Sequence, residues 1–159
     1  MPELSGHLRP VGRVAILVSR YNEAVTARLL EGALACTDAA QIPRADVDVI
    51  WVAGAFELPV AAAAAARTGR YACLVALGVV IRGETPHFEY VAEGATRGLG
   101  HVSVDAGLPV GFGLLTVETL EQAVERAGGS AGNKGYEAAA AAIEAADVIA
   151  RLRASHAAD

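Results

Sequence analysis

Cysteines, long apolar runs and clustered basic residues are scarce or missing in this sequence. Only two of its 159 residues are cysteines, Cys36 and Cys73, which lie in helix and strand patterns and are expected to be buried free thiols. No apolar run reaches the length of a membrane span, and the first ten residues contain no apolar segment of a secretory signal. The formal net charge is −5, without a basic cluster. We therefore expect a cytoplasmic protein with neither a membrane nor a nucleic-acid partner.

Several familiar site motifs are missing as well. No Gly-x-Gly-x-x-Gly follows the first apolar run, and the sequence contains neither a Walker lysine pattern nor a Gly-x-Ser-x-Gly elbow. The four histidines are scattered, and no His/Cys spacing suggests a metal. These absences argue against dinucleotide, nucleoside triphosphate, serine-nucleophile and zinc sites. We expect no metal and no cofactor.

Apolar runs alternate with segments of helical spacing along the chain, at a length typical of one domain. The predicted strands are 13–19, 47–53, 72–77 and 110–116; the predicted helices are 24–40, 59–67, 86 to about 105, 118–126, and 133 or 134 to about 153. This alternation predicts a parallel sheet covered by helices on both faces. Residues 1–12 are expected to form an N-terminal arm, residues 13–153 the domain, and residues 154–159 a flexible tail.

The stretch from Gly78 to Tyr90 follows the third predicted strand directly. Thr85 is a suitable N-cap and Pro86 a suitable first helical residue, so a helix is expected to begin here. A tight turn at a helix N-terminus leaves backbone N–H groups free, which favours an anion such as phosphate. His87 would lie in the first helical turn, where the dipole favours neutral imidazole. On the residues alone, an ordinary surface histidine and a catalytic one both remain open.

Ligands of parallel sheets bind at the carboxyl ends of the strands, near a switch in strand order. The turns at Tyr21, at 54–57 and at 78–87 each follow a predicted strand. We therefore expect these three turns to converge on one edge of the sheet.

Four motifs resemble those of the 6,7-dimethyl-8-ribityllumazine synthases, over nearly the whole chain from Val14 to about Ile149. They are Arg20-Tyr21-Asn22-Glu23, Gly54-Ala55-Phe56-Glu57-Leu58-Pro59, Val79-Val80-Ile81-Arg82-Gly83-x-Thr85-Pro86-His87-Phe88-x-Tyr90-Val91, and Glu121-Gln122-Ala123-x-Glu125-Arg126-Ala127-Gly128 continuing to Ala131-Gly132-Asn133-Lys134-Gly135. The resemblance implies a flavodoxin-like three-layer α/β/α sandwich with a four-stranded parallel sheet and an N-terminal arm that pairs with a neighbouring subunit. It implies a transferase of riboflavin biosynthesis that condenses 5-amino-6-(D-ribitylamino)uracil with 3,4-dihydroxy-2-butanone 4-phosphate to give the lumazine, phosphate and water.

The resemblance also implies a role for each matching residue, with His87 as the catalytic group. The implied substrate-binding residues are Tyr21, Asn22, Gly54, Ala55, Phe56, Glu57, Val79, Val80, Ile81 and Phe112, the last supplied by a neighbouring subunit. The implied phosphate-binding residues are Gly83, Glu84, Thr85, Arg126 and Lys134. Pattern alone leaves other roles open: packing for the aromatic residues, a helix-start role for Glu57 and Lys134, and capping of its own helix for Arg126.

The resemblance further implies self-association into homopentamers. The short connection from Gly128 to Gly132 resembles that of relatives that pack pentamers into icosahedral shells of 60 subunits, and riboflavin synthase stays open as a further partner. Two alternatives to catalysis remain open at this point. One is a protein that binds lumazine or riboflavin without turnover, and the other is a shell-forming relative.

Overall fold

The computed structural model describes residues 1–158 and contains one main sheet with helices on both faces. The strands are β1 Val14–Ser19, β2 Val47–Val52, β3 Cys73–Ile81, β4 Val110–Val117 and the two short strands β5 Ala127–Gly129 and β6 Gly132–Asn133. The helices are α1 Glu23–Ala39, α2 Leu58–Arg67, α3 His87–Ala106, α4 Leu120–Arg126 and α5 Lys134–Ala157. Single 3-10 turns lie at Arg44–Asp46 and Ala55–Glu57.

The main sheet has four parallel strands in the order β2-β1-β3-β4. The chain places β2 on one side of β1 and β3 on the other, so the strand order switches at β1. Because the strands are parallel, the carboxyl ends of β1, β2 and β3 lie side by side at one edge, which we call the carboxyl edge. Helices α1 and α5 cover one face of the sheet, and α2 and α3 cover the other. The predicted flavodoxin-like three-layer α/β/α sandwich is confirmed.

Both faces of the sheet are buried, which explains why the strands are continuous apolar runs. In β1, Val14, Ile16 and Val18 point to the layer of α1 and α5, whereas Ala15 and Leu17 point to the layer of α2 and α3. All five are fully buried. Within the described residues, no helix combines the length and apolar character that crossing a membrane requires.

The third strand is longer than the sequence predicted, and the helix after it begins differently. β3 continues beyond Leu77 to Ile81, because residues 78–81 pair with residues 114–117 of β4. The prediction that Thr85 caps α3 is wrong. Pro86 occupies the N-cap position, no side chain caps the helix, and His87 is its first residue.

The last part of the chain differs in two details. The predicted loop from Gly128 to Gly132 is a small antiparallel hairpin of β5 and β6. Helix α5 begins at Lys134 as expected, with the Asn133 side chain accepting from Gly135 N at 2.8 Å and Tyr136 N at 3.2 Å. The helix continues to Ala157 rather than ending near Arg153.

The N-terminal segment lies against α5 of its own chain. Asp147, which is 1% exposed, accepts from the backbone N–H of His7 at 3.0 Å and from Arg9 Nη1 at 3.3 Å. Arg151 donates to the backbone oxygen of Ser5. Residues 5–9 therefore have partners within the chain, while the pairing of the arm with a neighbouring subunit stays a prediction.

Candidate functional site

The turns after β1 and β2 are fastened to each other at the carboxyl edge of the sheet. The backbone N–H of Arg20 donates to Val52 O at 2.8 Å, and that of Tyr21 donates to Ala53 O at 3.0 Å. The turn after β3 follows the strand next to β1. The predicted convergence of three turns on one edge is confirmed.

Two aromatic side chains are exposed at this edge. Tyr21 is 73% exposed and Phe56 is 62% exposed. Aromatic side chains are more often at least partly buried in a folded protein. The edge of the Phe56 ring lies against Gly94 of α3, where an added Cβ would be 2.8 Å from the ring. Asn22 adopts a left-handed conformation with φ 60° at the start of α1, and its side chain makes no capping bond. Open aromatic faces of this kind can stack on a planar ligand.

The turn from Gly54 to Glu57 is closed by its own carboxylate. Glu57 Oε2 accepts from the backbone N–H of Gly54 at 2.9 Å, while Ala55 is only 6% exposed. Glu57 thus has the helix-start role that pattern alone left open. Its other carboxylate oxygen has no hydrogen bond within the described residues, so the implied contact with a ligand stays a prediction.

β3 extends past β1 and leaves part of its backbone without a neighbouring strand. Pairing between β1 and β3 ends at Val18 and Leu77, whereas pairing of β3 with β4 continues to Ile81 and Val117. Val79 is only 2% exposed, so its side chain packs in the core and does not face a ligand. Val80 and Ile81 are half-buried. The edge of residues 79–81 that faces β1 therefore has no strand paired to it within the described residues.

The turn after β3 consists of exposed residues, among them Gly83, Glu84 and Thr85, and His87 at the start of α3 is exposed as well. The backbone N–H of Arg82 donates to Val117 O at 2.9 Å. Among the hydrogen bonds of residues 1–158, none uses the N–H groups of residues 83–85 as donors. These N–H groups lie just before the N-terminus of α3, a position that favours an anionic ligand.

The remaining predicted site residues lie elsewhere, along β4 at the outer edge of the sheet. Phe112, Arg126 and Lys134 line one cleft of about 290 Å³ together with residues 113–117. Arg126 Nη1 donates to Gln122 O of its own helix at 3.0 Å, the capping contact that pattern alone left open. Lys134 Nζ is 3.0 Å from Glu137 Oε2. Within one chain the predicted residues thus form two separate groups.

Arg82, which is not among the predicted site residues, makes several side-chain contacts next to the phosphate-favouring turn. Its Nε is 2.9 Å from Glu118 Oε2, and its Nη1 is 3.2 Å from Glu89 Oε1. Hydrogen bonds to these two carboxylates raise the pKa of Arg82. Glu118 is far away in sequence, so only the fold reveals this cluster.

A surface cavity of about 480 Å³ has a lining that differs from the residues described above. It lies between α2 and the C-terminal half of α3, with alanines, Arg67, His101 and Asp105 in its lining. None of the predicted site residues lines it. The carboxyl edge, by contrast, brings several of the predicted residues together, so we place the candidate site at that edge.

The fold and this edge define a flavodoxin-like α/β protein of the kind that binds small ligands at the carboxyl ends of its strands. The family model described as 6,7-dimethyl-8-ribityllumazine synthase matches residues 12–150. Because this match covers most of the 159 residues, the chain belongs to that family. Membership implies a transferase of riboflavin synthesis that acts on small-molecule substrates within an oligomeric assembly.

Proposed function

We propose that this chain is a cytoplasmic enzyme that forms 6,7-dimethyl-8-ribityllumazine from 5-amino-6-(D-ribitylamino)uracil and 3,4-dihydroxy-2-butanone 4-phosphate. The observation that carries the proposal is the carboxyl edge, where exposed aromatic rings, free backbone groups, an anion-favouring turn and His87 follow three neighbouring strands. Each of these features matches one chemical need of the two substrates.

The uracil substrate would bind beside β3. A pyrimidinedione ring carries N–H donors and carbonyl acceptors around its rim, which the free peptide groups of residues 79–81 can pair with. Tyr21 and Phe56 offer exposed faces for stacking, and the free oxygen of Glu57 can accept from a ribityl hydroxyl. Asn22 adds an amide at the same turn. Family resemblance supports the same assignments.

The phosphate of the second substrate would bind at residues 83–85, where unpartnered backbone N–H groups meet a helix N-terminus. Glu84 would contribute its backbone, with its carboxylate directed away from the anion. Arg126 would bind the phosphate through its two-pronged guanidinium, with Lys134 adding positive charge. Arg126 would have to exchange its bond to Gln122 O for the phosphate.

The chemistry requires proton transfers, for which His87 supplies an exposed imidazole beside the phosphate turn. The aromatic amine attacks the ketone, and loss of water gives an imine. Removal of a proton from the neighbouring carbon then expels phosphate with its bonding electron pair. The resulting enol becomes a ketone, the ribityl-bearing nitrogen attacks it, and loss of a second water closes the ring.

The site would be shared between two copies of the chain. Phe112 pairs with Ala76, three positions before Val79, which places it about 10 Å back from the free edge of β3 at about 3.3 Å per residue. β4 also lies on the opposite side of β3 from β1. Because Phe112 lies behind the ring site of its own chain and on the far side of β3 from β1, we propose that it and Arg126 serve a neighbouring copy. A closed ring of five copies would repeat this head-to-tail contact, and such pentamers would pack into a 60-subunit shell.

The direct test of the activity mixes the purified protein with both substrates and follows the absorbance of the lumazine. Formation faster than the spontaneous reaction is expected. Binding of the lumazine without faster formation would instead support a non-catalytic binding protein.

The test of the shared site uses mixed oligomers of His87→Ala and Arg126→Ala chains. Each variant alone should have low activity, whereas co-assembled chains should recover part of it, since some interfaces then pair an intact His87 with an intact Arg126. Verified mixed oligomers that are no more active than the mean of the two parents, or a monomer by light scattering, would contradict the shared site.

A further inference from the structure

Arg82 connects three parts of the chain around the phosphate-favouring turn. Its backbone is held by Val117 at the end of β4, and its side chain reaches Glu118 at 2.9 Å and Glu89 at 3.2 Å. Its guanidinium carbon lies 4.7 Å from the centre of the Phe88 ring. Glu89 and Phe88 belong to the first turn of α3, immediately after His87.

The anchor on the β4 side is itself fixed. The backbone N–H of Glu118 donates to Gln122 Oε1 at 2.8 Å, and Thr119 caps α4 by accepting from Gln122 N at 3.2 Å. By contrast, the turn of residues 83–85 makes no hydrogen bond through its own N–H groups within the described residues. The Arg82 cluster therefore connects this turn and the start of α3 to the end of β4 through charged side chains.

Arg82 is also poorly suited to bind the phosphate itself. Two carboxylates already compensate its charge, and its guanidinium plane is engaged with an aromatic ring. An anion arriving at Arg82 would have to displace one carboxylate and approach the other. Within residues 1–158, by contrast, Arg126 has one carboxylate within 4 Å, that of Glu125 at 3.8 Å.

We propose that Arg82 is a positioning residue, which clamps the start of α3 to the turn after β4 and so fixes the phosphate turn and His87. This inference rests on the proposed function, because it assumes that phosphate binds at residues 83–85. Binding of inorganic phosphate does not require turnover, however, so the clamp can be tested apart from the reaction.

The first test measures phosphate binding by calorimetry for Arg82→Met. We expect affinity to fall about tenfold, below the ~10²-fold loss that a 1 Å misplacement can cause. In the kinetic assay, KM for the butanone phosphate should rise, while KM for the ribitylaminouracil should stay within about twofold. Arg97→Met is the matched control, because Arg97 forms an ion pair with Glu93 at 3.4 Å within α3. This substitution should change neither the phosphate affinity nor either KM.

The second test distinguishes a clamp from a direct ligand by the sign of the effect. Glu118→Gln removes a negative charge and frees Arg82, so a phosphate-binding Arg82 would bind the anion more tightly. If Arg82 instead acts as a clamp, Glu118→Gln should bind phosphate more weakly, because the turn loses its anchor on Glu118. Glu125→Gln is the control for charge alone and should leave phosphate affinity unchanged or slightly raised.

Tighter phosphate binding in Glu118→Gln, or unchanged binding in Arg82→Met, would overturn the clamp. If Arg82→Met does not fold, Glu118→Gln still decides the matter. If the wild-type protein binds phosphate but forms no lumazine, the proposed reaction is contradicted and the proposed role of Arg82 is not. Wild-type protein that binds no phosphate would overturn the clamp.

Discussion

The carboxyl edge of the main sheet, where the strands end, and the amino edge, where the strands begin, use their polar groups in opposite ways. At the amino edge, Arg13 Nη2 donates to both oxygens of Asp48 at 3.0 Å, and Tyr71 Oη donates to Asp48 Oδ2 at 2.7 Å. At the carboxyl edge, Tyr21 and His87 are exposed and the N–H groups of residues 83–85 have no acceptor within the described chain.

This difference separates residues that stabilise the fold from residues that are free to bind. Polar groups bonded to one another at the amino edge hold the strand starts together without any ligand. Exposed groups at the carboxyl edge contribute little to stability, because water satisfies them in the free protein. A ligand that replaces this water gains their hydrogen bonds. Substitutions at the two edges should therefore affect different measurements.

The largest expected effect is on turnover at the carboxyl edge. His87→Ala should reduce the turnover number by about 10²–10⁴-fold, because a general acid–base group is lost. The midpoint of thermal unfolding should not change, since His87 is exposed. A turnover number equal to that of the wild type would remove the catalytic assignment.

Arg126 should come next in size. Inorganic phosphate should compete with the butanone phosphate, and Arg126→Ala should weaken that competition by about 1.5–3 kcal/mol, the contribution of a charged hydrogen bond. Arg97→Ala is a suitable control, because Arg97 is 81% exposed on α3. If phosphate competes equally well in Arg126→Ala, Arg126 does not bind the anion.

The amino edge should respond to acid rather than to substrates. Hydrogen bonds from Tyr71 and Arg13 lower the pKa of Asp48 below its ordinary value of 3.8. The unfolded chain therefore takes up this proton more readily, so the stabilisation is present above that value and is lost as pH falls through and below it. Acid unfolding followed by circular dichroism should be less steep in Asp48→Asn, and intermediate in Tyr71→Phe. Equal steepness in all three proteins would contradict this account.

The smallest effect concerns the two thiols of the core. Burial raises the pKa of Cys36 to about 11 and that of Cys73 to about 12. Unfolded thiols ionise nearer 9.0, so stability should fall as pH rises above that value, because the unfolded chain releases the protons first. Cys73→Ala should reduce this alkaline slope. Thiol reagents should label the folded protein at neutral pH only as fast as it unfolds.

Much of this arrangement follows from local sequence. The alternation of strands and helices determines which turns share an edge, so the neighbourhood of Tyr21, Phe56 and His87 could be predicted before any coordinates. The burial of both cysteines and the start of α5 at Lys134 also followed from local pattern, and both are confirmed.

Other features depend on contacts between distant segments, which local pattern does not contain. β3 reaches Ile81 because β4 lies beside it, so Val79 is buried instead of facing a ligand with its side chain. Thr85 has the chemistry of a cap, but the turn brings Pro86 to that position. The clamp of Arg82 on Glu118 likewise joins residues that only the fold brings together.

We propose that the carboxyl edge binds substrates, whereas the amino edge stabilises the fold. The most direct measurement determines both the turnover number and the unfolding midpoint for His87→Ala and Asp48→Asn. We predict that His87→Ala loses turnover at an unchanged midpoint, and that Asp48→Asn loses stability at an unchanged turnover number. Loss of stability in His87→Ala without loss of turnover, or loss of turnover in a fully stable Asp48→Asn, would contradict the account.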